Sequence, residues 1–114
     1  MIRVKRIYES PGPEPGDGKR ILVDRLWPRG LRKDAVIIDE WKKELAPSKE
    51  LRKWFGHDPA KWEEFKKRYR QELEDRKGLL EEMRREARHG TVTILYGAKD
   101  TEHNNGVALK EFLA

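Results

Sequence analysis

Thr91-Val92-Thr93-Ile94-Leu95-Tyr96 is the clearest strand in the chain. Its β-branched and aromatic side chains suit a pleated surface. Gly90 closes the run before it, and Gly97-Ala98-Lys99-Asp100 turns the chain after it. Arg20-Ile21-Leu22-Val23-Asp24-Arg25 is a short apolar run ending in charge, the pattern of a central strand buried on both faces. Helical segments separate the two runs, and so long a crossover returns the chain in the same direction, so these strands are expected to be parallel. Residues 2–7, Ile-Arg-Val-Lys-Arg-Ile, begin by alternating apolar and basic positions and give a third strand with one wetter face. The expected fold is α/β: a small, mostly parallel sheet with helices on both faces, forming one three-layer domain over residues 1–114.

The segments between the strands carry helix signals. Residues 9–18 hold three Pro and three Gly and read as an exposed loop. Val36-Ile37-Ile38 is read as a lead-in rather than an extra strand, with Asp39 capping a short helix to about Leu45, before Pro47. Ser48 is an N-cap for a helix whose Leu51, Trp54 and Phe55 fall at i, i+3 and i+4, stopped by Gly56. Asp58-Pro59 is an N-cap followed by proline at the first helical position. Trp62, Phe65, Tyr69 and Leu73 then trace one apolar stripe down about four turns. Gly78 is the expected break, and Leu79, Leu80, Met83 and Ala87 mark another helix ended by Gly90. A last helix spans roughly 103–113.

Length and composition narrow the class. The 114 residues suffice for one core. With 41% charged residues the chain might be disordered, but four Trp, three Tyr and three Phe argue for a packed interior. No apolar run reaches the roughly 18–20 residues of a membrane span, and Met1-Ile2-Arg3-Val4-Lys5-Arg6 lacks the apolar stretch of a secretory signal. A cytoplasmic location is the expectation. With no cysteine, disulfides, thiolate nucleophiles and thiolate metal sites are excluded. The density of Glu, Lys and Arg also fits a protein built for heat. The net charge of +5 lies wholly in residues 1–33, where nine Lys/Arg face four acids; the remainder balances at 17 of each.

In open parallel sheets ligands bind beyond the carboxyl ends of the strands. That rule selects the loop after residue 23, with Asp24, Arg25, Trp27, Arg29 and Arg32, and the loop after residue 96, with Lys99, His103 and Asn104. If the two strands are neighbours, the loops converge on one cleft with guanidinium groups and a helix start, which suits phosphate or carboxylate. The expected ligand is a small anionic molecule, phosphorylated or nucleotide-like. His57 and His103 are the candidate acid/base groups, and Asp24 would orient an arginine. The plainer alternative is that the arginines pair with Asp24, Asp34 or Asp39, that Trp27 lids the core, and that Lys99, Asp100 and His103 only shape a turn. A second function is a non-catalytic module using the basic N-terminal third against nucleic acid or an acidic partner, though no nucleic-acid motif is present. A monomer or a homodimer fits equally.

Other chemistries lack their residues. Three scattered histidines have no metal-ligand spacing, and no cofactor is expected. No phosphate-cradling glycine motif occurs, and Ser10 and Ser48, the only serines, both adjoin proline. The aromatic stripe at Trp62, Phe65 and Tyr69 has the spacing of core rather than of a base-stacking platform.

Ile21-Leu22-Val23-Asp24-Arg25-Leu26-Trp27-Pro28-Arg29-Gly30, with Trp41, Leu45-Ala46-Pro47-Ser48, Trp54-Phe55, His57-Asp58-Pro59 and Leu95-Tyr96-Gly97-Ala98-Lys99-Asp100, resembles the YeaO-like proteins, a bacterial family of unknown function. The resemblance covers nearly the whole chain. It implies a single α/β domain and carries no established reaction or catalytic residue. The wider group often has cysteine near the end of the last strand and at the start of the following helix. Here those places hold Tyr96, Asn104 and Asn105, so a thiol mechanism cannot operate.

Overall fold

A computed structural model describes all 114 residues. Four strands, β1 (Ile2–Arg6), β2 (Lys19–Leu22), β3 (Glu40–Trp41) and β4 (Val92–Tyr96), form one sheet in the order β1-β4-β2-β3, every pair parallel. β4 is buried at every position because it has a neighbour on both sides: Ile94 faces Val4 of β1 and Ile21 of β2. The two strands expected to be parallel are therefore adjacent, and their following loops share one rim. Gly18 makes the entry to β2 possible. Its φ is +62°, and a Cβ there would lie 2.0 Å from the Thr91 carbonyl oxygen.

The faces of the sheet are covered differently. Ile21, Val23, Val92 and Ile94 join the buried side chains of α1 (Lys49–Phe55), α2 (Trp62–Glu72), α3 (Lys77–His89) and α4 (Asn105–Leu113) in one core. Phe55 stacks on Phe65, and Tyr69 lies tilted against Phe65 and edge-on to Phe112, at ~1.5–3 kcal/mol for each large side chain fully buried. On the opposite face Ile7, Leu22 and Leu95 meet Val36, with Tyr8, Trp27, Leu31 and Trp41 packed around them. That cover is made of extended segments and one 3-10 turn, Lys33–Ala35, rather than α-helix. Three layers result, with the third mostly irregular.

Arg20 anchors this third layer. It is 1% exposed, yet every arm of its guanidinium has a partner: Asp17 Oδ2 at 2.7 Å, the Ser10 hydroxyl and carbonyl, and the Ile37 carbonyl at 2.9 Å. The loop over 9–18 is thus tied down at Ser10 and Asp17, both buried.

The helix caps expected at Ser48 and Asp58 are present, accepting from the N–H groups of Leu51 and Ala60. Two expectations need correction. Asp39 caps no helix; its carboxylate accepts the Arg20 N–H at 2.7 Å and its own N–H donates to the Arg20 carbonyl, which draws β3 onto β2. Only a 3-10 turn follows, at Lys43–Leu45. The break between the two long helices is a 3-10 stretch at Leu73–Arg76, and Gly78 lies inside the first turn of α3.

Candidate functional site

The rim where β2 and β4 end opens into a cavity of about 540 Å³. Asp24, Arg25 and Leu26 enter it directly after β2. Helix α1 contributes Lys49, Arg52, Lys53 and Phe55, and the turn beyond it His57. Phe65 of α2 lies at its floor side, and Ala98, His103, Asn104 and Asn105 complete it from the β4–α4 connection and the first turn of α4.

Asp24 is the single carboxylate among these residues. Its Oδ2 accepts the Gly97 N–H at 2.9 Å and its Oδ1 accepts the Asn105 amide at 3.1 Å. A Cβ at position 97 would stand 2.9 Å from Asp24 Oδ2, so glycine there allows the approach. Burial pushes the Asp24 carboxyl above its ordinary range, against the opposing pull of the Asn105 and Gly97 hydrogen bonds and the charge of Arg52. The expected role of orienting an arginine is not what its contacts show: both oxygens are occupied by amide donors.

His103 is held by Asp100, whose Oδ2 lies 2.9 Å from Nδ1, and its ring stands edge-on to Trp62 at 5.3 Å. The Glu102 N–H, then His103 itself, keep the Asp100 carboxyl below its usual value. Asn104 caps α4 by accepting the Val107 N–H at 2.9 Å. His57 is the only non-glycine residue with positive φ, at +58°, and its ring lies 6.5 Å from that of Phe55. No three His, Asp or Glu side chains gather as metal ligands.

Of the residues singled out in the sequence, Asp24, Arg25, His57, His103 and Asn104 line the cavity. Trp27, Arg29, Arg32 and Lys99 do not. The chain leaves the rim at Trp27 because its indole packs on the other face of the sheet, edge-on to Trp41 at 5.4 Å, with Nε1 donating to the Leu31 carbonyl. Arg29 is carried away with it, and its carbonyl accepts the Tyr8 hydroxyl. Arg32 pairs with Asp34 at 2.7 Å, and Lys99 is exposed beyond the cavity. For Trp27 and Arg32 the plainer alternative, a core lid and a local ion pair, holds.

Lys49, Arg52, Lys53 and Asn105 are additions. The first three stand at i, i+3 and i+4 of α1, one helical face. That spacing is legible in the sequence beside the apolar stripe at Leu51, Trp54 and Phe55. None of Arg25, Lys49, Arg52 and Lys53 is in an ion pair; Arg25 Nε makes one hydrogen bond, to the Pro47 carbonyl at 3.3 Å.

Fold and site together define an α/β domain with a short parallel sheet and a basic cavity at its carboxyl rim. The chain belongs to the family described as the inactive DUF488-N3 subclade, whose model matches residues 1–114. It is 40% identical over 112 residues to the uncharacterised protein YeaO of Escherichia coli K12, covering 98% of this chain and 96% of that protein. It is also 40% identical over 112 residues to the uncharacterised protein Rv3073c of Mycobacterium tuberculosis H37Rv, covering 98% and 92%. The likeness to YeaO-like proteins read in the sequence is thus one of family. No solved structure matches the chain. No helix is long and apolar enough to cross a membrane.

Proposed function

We propose that this protein binds a small molecule bearing a phosphate or carboxylate in the rim cavity, without turning it over. The observation that carries the reading is the set of four unpaired cations, Arg25, Lys49, Arg52 and Lys53, around one opening. Such cations attract an anion electrostatically, and two of them offer guanidinium forks for it. The cavity volume falls in the usual range for small-molecule sites, about 300–1,000 Å³. Binding without turnover is supported by the family's description as inactive.

The basic N-terminal third supports nucleic-acid binding less well. Lys5, Arg6, Lys19, Arg20 and Arg32, five of its nine cations, already sit in ion pairs. A steep fall of binding with salt would be the mark of that alternative.

A thermal-shift titration with inorganic phosphate, pyrophosphate and citrate tests the proposal. A ligand at about 100 times its Kd stabilises the fold by ~2.7 kcal/mol, a rise of several degrees in Tm. Arg25→Ala with Arg52→Ala should remove the shift, whereas Arg29→Ala and Arg32→Ala, outside the cavity, should keep it. A wild-type Tm that no anion moves would end the reading.

A further inference from the structure

The acceptors on one wall of the cavity say more about the ligand than its charge does. Asp24 is clamped from two sides, by the Gly97 N–H and by the Asn105 amide. Each carboxylate oxygen keeps a further lone pair, and no cation pairs with it. Asn105 spends both amide hydrogens inward, on the Val23 carbonyl at 3.0 Å and on Asp24 Oδ1 at 3.1 Å. The opposite amide orientation would set its oxygen against those two acceptors, so the network fixes the assignment. Its Oδ1 is therefore left without a protein donor, at a residue that lines the cavity. On this wall, at the end of β2 and the start of α4, Asp24 and the Asn105 Oδ1 are two adjacent acceptors with no cation bonded to either. The wall from α1 carries Lys49, Arg52 and Lys53, whose side chains can only donate hydrogen bonds.

A bare phosphate would satisfy the second wall and leave the first facing an anion. An ammonium group would suit Asp24, but Arg25 beside it and the cations of α1 oppose a second positive charge there. Neutral donors remain, and hydroxyl groups are the simplest. Resting on the anion-binding reading, we infer that the ligand is a phosphorylated polyol, its phosphate held among the cations of α1 and its hydroxyls donating to Asp24 and Asn105. A sugar phosphate has this chemistry, whether free or as the ribose phosphate of a nucleotide.

Calorimetric titration of the wild-type protein separates these possibilities. The probes are inorganic phosphate, ribose 5-phosphate, adenosine 5′-monophosphate and its 2′,3′-dideoxy analogue. Ribose 5-phosphate should bind at least about tenfold tighter than inorganic phosphate, the size expected of hydroxyl hydrogen bonds to a charged acceptor. Asp24→Asn should bring the ratio of the ribose 5-phosphate and inorganic phosphate affinities to about one, whatever the removal of its charge does to phosphate itself. A preference for the adenosine monophosphate over its dideoxy analogue identifies the nucleotide as the source; binding of ribose 5-phosphate alone identifies the free sugar phosphate. Equal affinity for ribose 5-phosphate and inorganic phosphate overturns the polyol inference and spares the anion reading. Silence from every probe overturns both. The ligand series on the wild type decides the question even if the Asp24 variant folds poorly.

Discussion

Arg20 and Asp24 flank the same apolar run, Ile21-Leu22-Val23, and the fold treats their charges in opposite ways. Arg20 points to the face covered by loops, where Asp17, Ser10 and Ile37 satisfy its whole guanidinium. Asp17 in turn receives Lys5 at 2.6 Å and the Glu14 N–H. Nothing in that cluster is left to bind a ligand. Asp24 meets only two amide donors, keeps lone pairs free, and opens onto a cavity ringed by cations that have no carboxylate. A buried charge with all its partners inside the chain holds the fold together. One partnered on a single side marks a place where something else completes the set.

Breaking the closed cluster should produce the largest effect in the molecule. Arg20→Ala takes from Asp17 its buried partner, leaving it only Lys5 and the Glu14 N–H, and leaves the Ser10 and Ile37 carbonyls without their donor; removing one member of a buried pair costs about 3–5 kcal/mol. Chemical denaturation should show that loss, with anion binding at the rim retained wherever the variant is folded. Replacing both members, Arg20→Met with Asp17→Leu, should recover much of it, since neither charge is then left alone. A loss under ~1 kcal/mol for Arg20→Ala would show that the cluster contributes far less than its geometry implies.

The same contrast sets opposite signs in the acid range. Burial pushes the Asp17 carboxyl up, but hydrogen bonds from Lys5, the Glu14 N–H and Arg20 outweigh it and bring the value to about 2, from an ordinary 3.8. A depressed value means that the ionised form stabilises the fold above the unfolded value and that this support is lost as pH falls toward about 2. Asp24 is raised, so its ionisation opposes folding, and acid relieves that cost. Melting curves from pH 5 to pH 2 should therefore fall less steeply for Asp17→Asn than for the wild type, and more steeply for Asp24→Asn. Identical slopes in all three would contradict both assignments.

How much of this could be read in advance follows from the range of each signal. The parallel pair β2–β4 and its shared rim were legible because apolar run length and a long crossover are features of the chain itself. The caps at Ser48 and Asp58 are local chemistry and were equally plain. Asp39 suits a cap by its local pattern, while its partner in space, Arg20, comes from a strand 19 residues earlier. Sequence proximity to Asp24 puts Trp27 near the cleft, but a large indole settles where apolar surface is available, here on the opposite face beside Trp41. The α1 cations are hidden for a different reason: the spacing of a helix's buried stripe says nothing of what its other face is turned toward.

The smallest of the expected effects falls on His57, and it divides the two kinds of region most cleanly. A left-handed backbone at a residue with a Cβ costs ~1–2 kcal/mol, and His57 adopts it directly after Gly56, itself at φ +53°. Glycine would relieve that strain, less the roughly 0.5–1 kcal/mol that its greater freedom costs on folding. His57→Gly should therefore leave stability unchanged or raise it by up to ~1.5 kcal/mol. If the imidazole is kept there for the cavity, the same variant should bind phosphate about threefold more weakly, the worth of one modest contact. His57→Asn, which tolerates this backbone but carries no imidazole, should match it in binding. A destabilised His57→Gly with undiminished phosphate affinity would move His57 to the side of Arg20, as a residue the fold itself requires.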